Sequence, residues 1–214
     1  AIEFCSMDGF TRALWESQNR HEGDRQRLFE AIAGSCDAER VLYPGSFVDI
    51  APSFVFPSVT YVDSDNRAER FFADRTGVGE IIASLAGGPP TPEFTFIHAD
   101  YSTDLPFEPE SFDLLISLYA GFVSAHCTRY LRIGGSLLVN PSHGDADLSA
   151  IDRRYVLSGV VKSRQGRYRV TSDDLDTYMS PKKPQPLTRS SIIERGRGVA
   201  YTKPAFAYLF TRIG

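Results

Sequence analysis

Cysteine is scarce in this chain. Cys5, Cys36 and Cys127 are an odd number, and no two of them form a C-x-x-C pair. This predicts neither a disulfide framework nor a zinc site, and it makes a reducing cytoplasm the expected compartment. Long apolar runs are missing too. None reaches the roughly 18–20 residues that cross a bilayer. From Ala1 onward no basic, apolar, small-residue leader pattern is visible.

What is present predicts one globular domain. The 214 residues are 42% hydrophobic, enough for a sizeable core. The net charge of −4 is unevenly spread. Residues 151–214 hold 13 Lys or Arg against 5 Asp or Glu, a formal +8; the first 150 hold 10 against 22, a formal −12. The basic residues are scattered among turns, so the expectation is that the two parts offset each other. The overall acidity argues against a dedicated nucleic-acid partner.

The most informative stretch runs from Phe94 to Asn140. Phe94–His98, Phe112–Leu118 and Ser136–Asn140 are short apolar runs of strand length. The last two are almost continuously apolar, as strands buried on both faces of a parallel sheet are. Gly121–Leu131 between them has helical length and is closed by Gly134-Gly135, giving strand, crossover helix, strand. Asp100 directly follows the first strand, Leu105-Pro106-Phe107 makes a turn, Ser111-Phe112-Asp113 opens the second strand, and Leu131-Arg132-Ile133-Gly134-Gly135 precedes the third.

In that order and spacing the block resembles the second half of class I S-adenosylmethionine (SAM)-dependent methyltransferases. The resemblance covers about 45 residues. It implies a three-layer Rossmann-like α/β domain with a mostly parallel seven-strand sheet and antiparallel C-terminal additions. Residues 1–39 would be a helical N-terminal segment, 40–152 a cofactor-binding core, and 153–214 a β-rich, substrate-side segment.

Upstream, Gly9–Gln18 and Arg25–Ile32 read as helices, Val41–Tyr43 as the first strand and Val59–Val62 as the second. Pro44-Gly45-Ser46 ends the first strand where the family has a glycine-rich turn. Here Gly45 is its only glycine, in YPGSFVDIAPS. The interval to the second strand is too short for a full helix, and Pro52 and Pro57 limit it further, so a turn or two or an irregular loop is expected. Thr60–Asp65 ends the second strand in acid. Asp65 suits the N-cap of a helix over Asn66–Asp74, and Val78–Leu85 reads as another helix.

The resemblance places Asp63 on the ribose hydroxyls of SAM, whose two vicinal donors suit a two-oxygen acceptor. It places Asp100 on the adenine amino group and Tyr101 against the base, with Gly45 close to the methionine part. Ser117 and Tyr119 fall where the family faces the methyl donor; Tyr43, Ser46 and Ser64 flank these positions and complete the expected cofactor set. No catalytic base is assigned, since methyl transfer demands mainly alignment. The acceptor is an unidentified small molecule or other group. A second reading keeps the fold but loses SAM binding, leaving a binding or regulatory module. A third takes His143, Asp145 and Asp147 as ligands of a metal-assisted hydrolase, a pattern of low specificity. His98 and His126 have no partner in sequence.

In the tail, Tyr155–Lys162 and Arg167–Val170 read as a hairpin, Ser172–Met179 as a short helix or turn, and Ala200–Ile213 as a final strand. Residues 160–198 are the expected region of substrate recognition.

Overall fold

The computed structural model describes residues 7–85 and 87–214; Cys5 and the start of the expected N-terminal helical segment lie outside them. In chain order the elements are α1 (Gly9–Gln18), α2 (Asp24–Ala33), β1 (Arg40–Pro44), β2 (Ser58–Asp63), α3 (Asn66–Ala73), α4 (Arg75–Ala83), β3 (Glu93–His98), β4 (Phe112–Ser117) and α5 (Val123–Cys127). Then come β5 (Leu131–Val139), α6 (Asp145–Ile151), β6 (Tyr155–Arg164), β7 (Arg167–Thr171), α7 (Arg189–Arg195) and β8 (Ala207–Arg212). They build one eight-stranded sheet of order β3-β2-β1-β4-β5-β8-β6-β7. The first five strands are parallel, and β8, β6 and β7 add antiparallel at one end. Seven strands were expected. The sheet holds eight, because both strands of the expected hairpin, β6 and β7, join it, with β7 at the edge.

Alternation along the buried strands sends side chains into two cores. Val41, Tyr43, Val59, Tyr61, Leu114 and Ile116 join α2, α3 and α4 on one face. Leu42, Val62, Leu115, Leu137 and Val139 join α5 and α6 on the other. Among the described residues no helix is long and apolar enough to cross a membrane. Cys36 and Cys127 are free thiols, and burial pushes them up to about 11 and about 12.

Local chemistry accounts for most boundaries. The Asp65 carboxylate accepts from Arg67 N at 2.7 Å and caps α3 as expected. The crossing from β1 to β2 is reduced to a single 3-10 turn, Ala51–Phe54. It is a buried plug: Phe54 and Phe56 enter the core, and Ser53 Oγ lies 2.7 Å from Tyr61 Oη.

Three boundaries differ from expectation. The helix expected over Gly121–Leu131 is only Val123–Cys127 plus a 3-10 turn at Thr128–Tyr130, and β5 begins at Leu131. Tyr130 Oη accepts from Leu105 N at 2.9 Å, which pins the chain early. Gly134-Gly135 therefore sits inside β5. A Cβ on Gly135 would lie 3.0 Å from Asp113 O, and pairing with β4 shifts register there, so the glycines make a bulge and not a helix stop. The final strand shortens to Ala207–Arg212, because Lys203-Pro204 cannot continue the ladder. Helix α7 has no strong signal in sequence; its capping box uses Thr188 and Ser191, and Ser at the third helical position is not the usual Glu or Gln.

Asp113 ties the sheet together at its lower end. Its carboxylate accepts from Arg40 N (2.8 Å), Glu39 N (3.1 Å) and Arg132 Nε (2.7 Å), linking the starts of β1 and β5. Burial raises its pKa, but these bonds together outweigh burial and hold it below the ordinary 3.8. A depressed folded pKa adds stability that is fully present above the unfolded value and is lost as pH falls through the folded one. Asp113→Asn is expected to cost about 1–2 kcal/mol at pH 7, with the gap to wild type closing toward pH 3. Urea midpoints at pH 7, 5 and 3 check this; a gap that widens on acidification would refute it.

Candidate functional site

Strand order reverses direction between β1 and β4, and the two loops leaving their C-terminal ends diverge there. Open α/β sheets bind ligands at such a point. Here the ends of β1, β2, β3 and β4 enclose a hollow of about 420 Å³. Gly45, Asp63, Ser64, Asp100 and Tyr101 line it. So do Gly121, Phe122 and His126, none of which the sequence assigned to the cofactor.

Asp63 closes β2. Its Oδ2 accepts from Phe47 N at 2.7 Å and its Oδ1 from Asp65 N at 2.8 Å. The backbone thus fixes the carboxylate between the β1 turn and the start of α3. Each oxygen keeps a second lone pair for another donor. Asp100 is exposed, and its Oδ1 accepts from Ser102 N at 2.8 Å; that backbone bond is the main cause of its lowered pKa. Two carboxylates therefore face the hollow, both oriented by main-chain donors.

Tyr101 crosses the hollow. Its hydroxyl donates to the Ala120 carbonyl, joining the loop after β3 to the loop after β4. Burial pushes its phenol up to about 12. Two glycines make room for it. A Cβ on Gly45 (φ +65°) would lie 3.8 Å from the Tyr101 ring and would collide with Ala120; a Cβ on Gly121 (φ +89°) would lie 2.8 Å from the Tyr101 hydroxyl. Next to it, His98 Nε2 is 3.0 Å from Ser64 O and its Nδ1 is 3.2 Å from Glu69, so this histidine braces the β2–β3 corner.

The other expected cofactor residues lie elsewhere. Tyr43 is buried on the α2 face, and its hydroxyl donates to Asp49 Oδ2 at 3.1 Å. Ser46 is buried beneath the turn, with Oγ donating to Phe47 O at 3.3 Å. Ser117 is buried and donates to Asp145 Oδ2 at 2.6 Å. Tyr119 is 52% exposed with φ +57°, and its N donates to Asn140 Oδ1 at 3.2 Å. It lines a second cleft, of about 290 Å³, together with Gln18, Asn19, Arg25 and Phe206. The Arg25 guanidinium lies 5.2 Å from the Tyr119 ring centre and 3.7 Å from Asp49. Burial pushes the Asp49 carboxyl up, against the pull of Arg25.

Asp145 and Asp147, two of the three candidate metal ligands, are both buried and face different partners. Asp145 serves Ser117 and Ser124; Asp147 accepts from Val199 N at 2.9 Å and from the Tyr201 hydroxyl. Asp145 follows the N-cap Gly144 as the first residue of α6. Among the described residues no three His, Cys, Asp or Glu side chains group as metal ligands.

No protein-family model matches the sequence, and no curated protein matches it. Solved structures do. A candidate O-methyltransferase from Klebsiella pneumoniae superposes with a TM-score of 0.50 at 11% identity, covering 78% of this chain and 89% of that one. The 16S rRNA methylase RmtB superposes with a TM-score of 0.51 at 13% identity, covering 92% of this chain and 65% of that one. With the sheet order and the hollow at its switch point, these likenesses show that the chain has the Rossmann-like fold of class I SAM-dependent methyltransferases.

Proposed function

We propose that the protein binds SAM in the hollow beyond β1–β4 and transfers its methyl group to a nucleophilic acceptor. The observation that carries this is that Asp63 and Asp100, each oriented by backbone donors, line one hollow with Gly45 and Gly121, whose missing Cβ atoms make room for the Tyr101 bridge. When bound, SAM supplies an electrophilic methyl group on a sulfonium. Asp63, oriented by two backbone donors, accepts from vicinal hydroxyls; Asp100 accepts from an exocyclic amine, with Tyr101 alongside. The protein's further work is to exclude water and align the acceptor. Residues 40–152 hold the cofactor in this reading. The acceptor approaches from the side built by α1, α2 and residues 153–214, where the Tyr119 cleft opens. No step needs an oxidising compartment, and the cytoplasm is the proposed location.

Calorimetric titration with SAM and S-adenosylhomocysteine tests this. One-site, micromolar binding is expected. Asp63→Ala should weaken it about tenfold to a hundredfold, the worth of a hydrogen bond to a charged acceptor, about 1.5–3 kcal/mol. A folded sample that binds neither compound would sink the proposal.

A further inference from the structure

Arg25 carries a fork of donors that the rest of the protein leaves unused. Its side chain is 27% exposed, and among the described residues it makes no hydrogen bond. Its one ion pair among them, Nε to Asp49 Oδ2, is 3.7 Å long, beyond hydrogen-bonding distance. Each Asp49 oxygen already has a donor, Tyr43 Oη on Oδ2 and Ala51 N on Oδ1. Asp49 is 3% exposed and does not line the second cleft, whereas Arg25 does. A counter-ion for Asp49 needs only a charge. A planar guanidinium with five donors, lining a cleft, can grip a second partner.

The rest of that cleft defines what would meet those donors. Two rings line it: Tyr119, 5.2 Å from the Arg25 guanidinium, and Phe206. Phe206 is held, since its N donates to Val161 O at 2.9 Å and its ring meets Tyr168 edge-on at 5.0 Å. The Tyr119 backbone is held by its bond to Asn140. Fixed rings offer a flat body contact area and offset stacking at little cost in entropy. Among the charges on the lining, Arg20 and Arg25 stand against one carboxylate, Asp24, which already accepts from the Tyr168 hydroxyl at 2.8 Å and pairs with Arg27 at 3.7 Å. The surplus is positive and small, which suits a monoanion. A dianionic phosphate fits less well, with Asp24 on the lining and Asp49 3.7 Å from Arg25. At about 290 Å³ the cleft takes a small molecule.

We propose that the second cleft binds a small aromatic carboxylic acid, its carboxylate on the Arg25 fork and its ring against Tyr119 and Phe206, and that the methyl acceptor belongs to this class. The acceptor role rests on the proposed methyl transfer; the binding does not. The position suits the role. Tyr119 lines the cleft and Gly121 lines the cofactor hollow, so Ala120 alone separates the two along the chain. A carboxylate gripped by Arg25 is not the nucleophile, so a ring hydroxyl oxygen of the acid takes the methyl carbon. The carbon–sulfur bond breaks, its electron pair stays on sulfur, and the hydroxyl proton goes to water.

The test is calorimetric titration with benzoate, 4-hydroxybenzoate and cinnamate, each up to about 10 mM, with and without saturating S-adenosylhomocysteine. At least one acid should bind wild type saturably at about 1 mM or tighter, a modest affinity for about ten heavy atoms. The neutral amide of that acid should bind at least about tenfold more weakly, and phenyl phosphate more weakly than the acid. Arg25→Lys keeps the charge beside Asp49 but not the fork, and should lose about tenfold. Tyr119→Asn removes a ring at an exposed position whose left-handed backbone Asn tolerates, and should lose about threefold or more. Circular dichroism checks that both variants fold, and the acid-against-amide comparison on wild type needs neither. The proposal is overturned if none of the acids binds, if the amide or phenyl phosphate binds as tightly as the acid, or if either folded variant keeps wild-type affinity. It is also overturned if S-adenosylhomocysteine competes with the acid, which would put the acid in the cofactor hollow. Acid binding without nucleoside binding defeats methyl transfer alone; nucleoside binding without acid binding defeats this inference alone.

Discussion

Asp145→Ala is expected to be the most damaging single substitution in the protein, at about 3–5 kcal/mol. Asp145 is 2% exposed and starts α6. Its carboxylate accepts from Ser117 Oγ at 2.6 Å, from Ser124 N at 3.0 Å and from Ser124 Oγ. Both serines are buried as well. Burial raises the carboxyl's pKa and these donors pull it back. Removing the acceptor strands two hydroxyls and one amide in a dry interior, each at about 1–3 kcal/mol before relaxation. Against a total stability of about 5–15 kcal/mol this is a large fraction. The consequence reaches the site, because Ser117 ends β4 and Ser124 lies in the first turn of α5, with Gly121 and Phe122 strung between them. Urea unfolding should show the loss, and Asp145→Asn, which keeps one acceptor oxygen, should lose about half as much. A variant within about 1 kcal/mol of wild type would show that water or a shifted serine replaces the carboxylate.

Gly45→Val should come second, at about 3 kcal/mol, and should also cut SAM affinity at least tenfold. Three costs combine. The residue has φ +65°, which a β-branched side chain tolerates poorly. Its Cβ would press into Ala120, with Ala120 Cα at 3.4 Å, and a packed contact resists added volume at about 1–3 kcal/mol. The Tyr101 ring, 3.8 Å from that Cβ, would be met by the added methyls. Gly45 N also donates to Val62 O at 2.7 Å, so any escape of the turn breaks the β1–β2 connection. Gly45→Ala separates the effects: it keeps the backbone strain and the first collision but adds no methyls toward Tyr101. Thermal unfolding and titration with S-adenosylhomocysteine read the two losses. Wild-type affinity in a folded Gly45→Val protein would place the cofactor away from this turn.

The periodic parts of the chain were readable before folding was considered. Strands β1 to β4 and helices α1 to α4 stand within a few residues of where apolar spacing and caps put them, because those signals are local. The shortened β1–β2 crossing followed from a residue count and two prolines. That Asp63, Asp100 and Gly45 stand at or just beyond strand ends was legible too, because a strand end is a position sequence marks well. The misjudged boundaries are those where a distant partner decides. Tyr130 pinned by Leu105 starts β5 early, and the close approach of Asp113 O turns Gly134-Gly135 into a bulge.

By itself, then, the sequence determined the α/β alternation, which apolar runs become strands or helices, and the acidic ends of β2 and β3. Spacing and side-chain type are enough for that. Only tertiary structure decided that Tyr43, Ser46 and Ser117 are buried in internal networks while Tyr101 spans the hollow, since alternation says which face a residue takes but not what meets it there. Tertiary structure likewise decided that scattered cations become one field: hairpin register sets Lys162 against Arg169 and Arg164 against Arg167, and register is a property of two strands together.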